Sequence, residues 1–177
     1  MLAEPRFDDR GELPYVPVRQ QVAMHDIPAV LPPLVDEVLD WLKEQNVKPN
    51  GAPFFRYLHL DEQGQLLTEV GVPIAGVTIN DSRFRSGAFP AGHYLAALHT
   101  GPYDRLSKAR SALEEWKEKA RVRETSKPDG SGTLWGTRAE FYLSAPQGRK
   151  RTRSSGGRSW SSWWRTSKPA AQRYGEW

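Results

Sequence analysis

Glu140 is the residue of this chain best suited to chemistry. It stands in the run Trp135-Gly-Thr-Arg-Ala-Glu140-Phe-Tyr142-Leu, among aromatic neighbours where a solvated acid has no evident use. A partly buried carboxylate is costly unless something compensates it, and a bound cation does so. Aromatic faces add cation–π attraction. The competing reading is a salt bridge across a sheet, to Arg138 or Arg56. If the run is a strand, alternation puts Glu140, Tyr142 and Arg138 on one face and Trp135, Thr137 and Phe141 on the other. Trp135 then joins Glu140 only if the strand bulges or bends at Gly136; otherwise it packs as core beneath a helix. Phe54, Phe55 and Tyr57 form a second aromatic run. By the same alternation Phe55 and Tyr57 share a face and Phe54 takes the other; one set is core, and the sequence leaves open which. Tyr15 is a weaker candidate.

Other chemistries find no support. The chain has no cysteine, which removes disulfides, thiolate nucleophiles and Cys-ligated zinc. The four histidines (His25, His59, His93, His99) lack metal-ligand spacing, so no metal or cofactor is expected. Gly130-Ser-Gly-Thr133 has no lysine after it and is not a phosphate loop, and no Gly-x-Ser-x-Gly elbow is present. The acids Asp36, Glu37, Asp40 and Glu44, like Glu114, Glu115 and Glu118, read as solvated helix faces. There is no run long enough to span a membrane and no basic-then-apolar leader, so the expected location is the cytoplasm.

The elements that must hold these residues follow from pattern. Residues 1–12 are polar and read as a loose lead-in. Residues 13–24 are β-rich, with two prolines that suggest an edge or a bulge. Val30, Leu34, Val38, Trp41 and Leu42 recur at helical spacing, and that helix ends near Asn46, before Pro49-Asn50-Gly51. Residues 53–60 and 66–74 read as strands joined by a hairpin turn at 61–64. Residues 89–99 read as a strand and Thr100-Gly-Pro102 as a turn. Residues 103–122 read as a helix, with Leu106, Ala109, Leu113, Trp116 and Ala120 as its apolar face. Residues 127–132 read as a polar loop and 134–144 as a strand. The order is β-α-β-β followed by β-α-β. The expected class is α+β: two tandem β-α-β-β units, an antiparallel sheet with both helices on one face, and a last strand that has been lost.

This pattern resembles the gyrase-inhibitor-like (GyrI-like) fold, which also serves as the effector-binding domain of AraC-type and MerR-type regulators. The likeness rests on His99-Thr-Gly-Pro-Tyr103-Asp-Arg-Leu106, on Glu69-Val-Gly-Val-Pro73 and on the Trp135–Leu143 run, and it covers roughly residues 13–146. It implies a lipophilic, often cationic or planar ligand held in a groove between the two units. Glu140 would lie at the base of that groove and Trp135, Tyr103, Tyr142, Phe55 and Tyr57 along it. Tyr103 has a plainer alternative as an anchor for the helix start. Drug or toxin sensing or sequestration is the leading expectation, without a helix-turn-helix segment to make the chain a regulator alone. The resemblance also implies a hydrolase alternative. Glu140 would then activate water to open cyclopropane-bearing alkylating compounds, in the same aromatic groove a binder needs. A third implication is a protein partner, DNA gyrase or a regulator.

The C-terminus departs from that pattern. Residues 147–177 hold eight Lys or Arg against one acid, a net of +7; with +4 for the whole chain, residues 1–146 carry −3. The basic character belongs to the tail, so a nucleic-acid partner is expected only through it. A family member should end in a Trp-x-Thr-Glu-Leu strand, where this chain has a mixture of Arg, Ser, Gly and Trp. Such a mixture is what a GC-rich gene encodes when read out of frame. Back-translating 149–168 with permissible codons and shifting by two bases can give Trp-Arg-Thr-Glu-Leu-Val-Phe-Leu-Val-Ala. That run mirrors Thr68-Glu-Val-Gly-Val-Pro-Ile74. The expectation is a domain over 1–146 and a disordered basic tail over 147–177, with a frameshift product as the leading origin and a plain basic extension as the alternative.

Overall fold

The computed structural model describes residues 2–76, 79, 81–101, 105–130, 132–143 and 158–165. Both periodic stretches form helices, α1 (Ile27–Glu44) and α2 (Leu106–Lys119). Helix α1 opens with Pro28 in its first turn, where a missing N–H costs nothing, and buries Ile27, Leu31, Val38 and Leu42 along one side. The two helices stop in the same way. Asn46 and Arg121 take left-handed conformations (φ 58° and 53°). The Val47 N–H donates to Leu42 O (2.9 Å) and the Val122 N–H to Lys117 O (3.0 Å), closing the same C-terminal capping motif twice. This matched punctuation is the clearest structural sign of the internal repeat.

The strands are β1 (Arg6–Arg10), β2 (Leu13–Ala23), β3 (Phe54–Leu60), β4 (Gln65–Pro73), β5 (Gly87–Phe89), β6 (Gly92–Gly101), β7 (Ser126–Asp129), β8 (Gly132–Tyr142) and β9 (Arg158–Arg165). They form one antiparallel sheet in the order β1-β6-β9-β8-β3-β4-β2-β5, with β7 paired to β8. The first unit is β2-α1-β3-β4 and the second β6-α2-β8-β9, joined at the centre through β3 and β8. The expected α+β class and tandem units are therefore observed.

Register fixes the faces. One row across the sheet runs Val18, Val70, Phe55, Glu140, Ser162, Ala97. Val18 packs with Val38 and Leu42 of α1, and Ala97 packs with Leu113 of α2. Both helices thus cover the face that carries Glu140. The opposite face carries a separate aromatic cluster of Tyr15, Phe54, Phe89 and Phe141.

Four expectations need correction. The polar lead-in contains β1, an edge strand. Phe7 stacks on His93 (5.1 Å between ring centres) and Asp9 reaches His93 Nδ1 at 2.8 Å. Charged edge strands lack the apolar alternation that a sequence scan looks for. The strand at 89–99 is two, β5 and β6, interrupted at Pro90, which has no N–H for a ladder. The polar loop at 127–132 begins within β7, whose four residues are all exposed and so carry no burial signal. Finally, the strand expected to be lost is present. Arg158–Arg165, within the segment expected to be disordered, lies between β6 and β8. Those two strands would otherwise face each other with unpaired backbone groups, and a ladder satisfies them with little regard to side chain. Residues 144–157 and 166–177 lie outside the described residues.

Candidate functional site

Glu140 is buried, 4% exposed, and both its oxygens are engaged. Arg110 of α2 holds it bidentately, Nε to Oε1 at 2.5 Å and Nη2 to Oε2 at 2.6 Å. Two tyrosine hydroxyls donate to Oε2, Tyr57 at 3.0 Å and Tyr142 at 3.2 Å. Arg110 Nη2 also reaches the Tyr57 hydroxyl at 3.3 Å. Burial pulls the Arg110 pKa down, but the Glu140 charge and its hydrogen bonds outweigh that, so the guanidinium is held above its ordinary range. The salt bridge weighed from sequence exists with a different partner. Arg138 pairs with Glu114 of α2 and lies 3.8 Å from Glu124. Arg56 lies on the opposite face, hydrogen-bonded to Tyr15.

Aromatic residues surround the acid as expected. Phe55 and Tyr57 are buried in one cluster with Val70, Leu31 and Ile27, and half-buried Trp135 and Tyr142 pack against it. Phe55 and Tyr142 rings are 4.8 Å apart. Tyr142 also borders Leu106 and Ala109 of α2, which places it between the two helices. Phe54 takes the other face, so the open question is answered: Phe55 and Tyr57 are the helix-side pair.

Trp135 joins this face because β8 is irregular. From the Tyr57–Arg138 pair to the His59–Leu134 pair, β3 advances two residues and β8 advances four. Gly136 sits inside that irregularity, its N–H bonded to Thr125 O at 2.7 Å. A Cβ there would meet the Thr125 carbonyl oxygen at 2.9 Å, so the close approach requires glycine. The Arg138 guanidinium then lies over the Trp135 ring, 5.1 Å from its centre.

Five of the six expected site residues are therefore brought together: Glu140, Trp135, Tyr142, Phe55 and Tyr57. Tyr103 lies outside the described residues. Arg110 was missed, although a signal existed: it falls between Ala109 and Leu113, four residues after Leu106, inside the apolar stripe of α2. Among the described residues no group of three or more His, Cys, Asp or Glu could hold a metal ion, and no helix is long and apolar enough to cross a membrane.

A second buried acid lies on the far face. Glu69 is 4% exposed and accepts from the Tyr15 hydroxyl (2.6 Å) and Arg19 Nε (2.9 Å), with Arg56 Nη1 at 3.7 Å. Burial and the Glu69 charge push the Tyr15 hydroxyl well above the ordinary tyrosine range. The rings of Tyr15, Phe54, Phe89 and Phe141 are all buried beside it.

The fold is similar to several solved structures. EcmrR in its DNA complex matches with a TM-score of 0.68 at 18% identity, covering 94% of this chain and 58% of that one, so this chain spans little more than half of that protein. The EcmrR C-terminal domain matches with a TM-score of 0.64 at 16% identity, over 94% of this chain and 98% of that domain. SAV2435 bound to tetraphenylphosphonium matches with a TM-score of 0.61 at 8% identity, over 94% and 95%. A hydrolase from Listeria innocua matches with a TM-score of 0.54 at 13% identity, over 93% and 92%. No curated protein matches the sequence significantly. At the sequence level the model of the GyrI-like small molecule binding domain matches residues 3–130, and the chain belongs to that family.

Proposed function

We propose that this domain binds a lipophilic, aromatic small molecule on the helix side of its sheet, between α1 and α2, for sensing or sequestration. Glu140 is the polar centre of the site, and Trp135, Tyr142, Phe55 and Tyr57 are its walls. The observation that carries this reading is the company Glu140 keeps. A buried carboxylate lies beside rings that are only half covered, Trp135 and Tyr142, on the face of the sheet that residues of both α1 and α2 border. Apolar walls with a few convergent polar groups are what such sites are made of. SAV2435 is seen with tetraphenylphosphonium, a lipophilic aromatic cation, and the lipophilic, aromatic part of that chemistry is what this reading takes from it.

The hydrolase reading draws on the same acid and on the hydrolase among the structural neighbours. The geometry favours binding. A general base needs a free lone pair aimed at the proton it takes; Arg110, Tyr57 and Tyr142 crowd Oε2 and Arg110 takes one of the two acceptor sites of Oε1, leaving a single site for that role. A contact with gyrase or a regulator rests on the family alone and would be read by a pull-down.

Calorimetric titration with a panel of lipophilic aromatic compounds, charged and uncharged, tests the proposal. One-to-one binding by the chain, weakened at least about tenfold in Trp135→Ala/Tyr142→Ala, is the expected result, since a tenfold loss needs only about 1.4 kcal/mol. Equal binding by the double variant would place the ligand elsewhere.

A further inference from the structure

The two features that make such a site attractive to a cation are already taken by the protein. The carboxylate is held bidentately by Arg110, and the Trp135 face is covered by the Arg138 guanidinium. Arg138 is anchored in turn by Glu114 and Glu124. Glu140 and Arg110 together carry no net charge. A lipophilic cation would have to break a buried two-point ion pair and would then sit beside the displaced guanidinium, which stays charged. Arg110 also has donors left over. Its Nε and Nη2 serve Glu140 and Tyr57, and Nη1 has no acceptor among the described residues. The side chain is about a third exposed, so a ligand can reach it.

We infer that Arg110 sets the charge class of the ligand: the site takes an uncharged aromatic molecule bearing a hydrogen-bond acceptor, and it excludes lipophilic cations. The inference rests on the small-molecule reading and goes further by naming which ligands are refused. Arg110 acts as the internal counter-ion of Glu140 and as the donor that meets a carbonyl or phosphoryl oxygen. Arginine suits both roles, because its planar fork can clamp a carboxylate on one edge and donate from another.

The test uses two probes of nearly one shape and different charge, triphenylphosphine oxide and methyltriphenylphosphonium, titrated into the full chain. The expected result is at least tenfold tighter binding of the oxide. Arg110→Met should reverse the preference, with the phosphonium now favoured by tenfold or more. Arg110→Lys keeps the positive charge and should still refuse the phosphonium. Arg110→Met/Glu140→Gln removes both charges and should bind the two probes within about threefold of each other, and it keeps the test open if Arg110→Met alone does not fold. Equal or tighter phosphonium binding by the unaltered chain overturns the inference and leaves the small-molecule reading standing. An unchanged preference in folded Arg110→Met also overturns it. Binding of neither probe by any form overturns the inference; whether the broader reading falls with it is then read from the wider compound panel.

Discussion

The two faces of the sheet hold the same chemistry in different settings. Each buries one glutamate to 4% exposure, and each supplies it with arginine and tyrosine donors. Around Glu69 every partner comes from strands, Tyr15 and Arg19 on β2 and Arg56 on β3, and buried rings close over the group. Around Glu140 the main partner comes from helix α2, and the adjoining rings of Trp135 and Tyr142 are only half covered. Burial alone therefore does not set the proposed site apart from the far-side acid. The proposal turns instead on whether the groups that satisfy the acid can part and let something else in. The Tyr15 and Arg56 side chains are enclosed among buried rings and have little room to turn, whereas the Arg110 side chain is about a third exposed and can swing.

Substituting the two acids should separate the faces most sharply. Glu69→Ala leaves Arg56 buried without its charge partner, and the expected loss is about 3–5 kcal/mol in a urea titration. Glu140→Ala should cost less, about 1–3 kcal/mol, because the Arg110 head can turn to water. A larger loss at Glu140 than at Glu69 would break the comparison.

Alkaline titration sharpens it further. The Tyr15 pKa is raised in the folded state, by burial first and by the Glu69 charge second. A tyrosine raised in this way contributes stability that is complete below its unfolded value near 10 and is lost as pH climbs toward the folded value. Stability should therefore fall above about pH 10, by up to about 1.4 kcal/mol per pH unit. Tyr15→Phe should flatten that fall, and an equally steep fall in Tyr15→Phe would place its origin elsewhere.

The smallest effect concerns β9. Replacing Arg158–Arg165 by Thr-Glu-Leu-Val-Phe-Leu-Val-Ala, the run recovered in the shifted frame, installs strong strand formers at the same eight positions. It should raise the urea midpoint by an amount worth about 1 kcal/mol or more. An unchanged midpoint would count against an out-of-frame origin for the segment. Intact mass from the native host would read that origin directly.

Much of this was legible in the sequence, for identifiable reasons. Helix α1 followed from Val30, Leu34, Val38 and Leu42, and the repeat from the order of elements. The condition on Trp135, a bend at Gly136, is met by the irregular pairing of β8 with β3. Strands β1 and β7 escaped because they are polar edge pairings with little apolar alternation to see. Strand β9 escaped because backbone pairing fills a gap that composition argues against. Arg110 escaped because a charged helix residue reads as solvated unless its place in the apolar stripe is noticed. Glu69 was visible only as part of a strand motif; its burial depends on Tyr15 and Arg56, which are distant in sequence.

NMR chemical-shift mapping with triphenylphosphine oxide shows whether the proposed ligand site lies at the helix-side acid and not at the far-side one. The expected perturbations gather at Phe55, Tyr57, Arg110, Trp135, Glu140 and Tyr142, with Tyr15, Arg19 and Glu69 undisturbed. Perturbations gathered at Tyr15, Glu69 and Phe89 instead would contradict that placement.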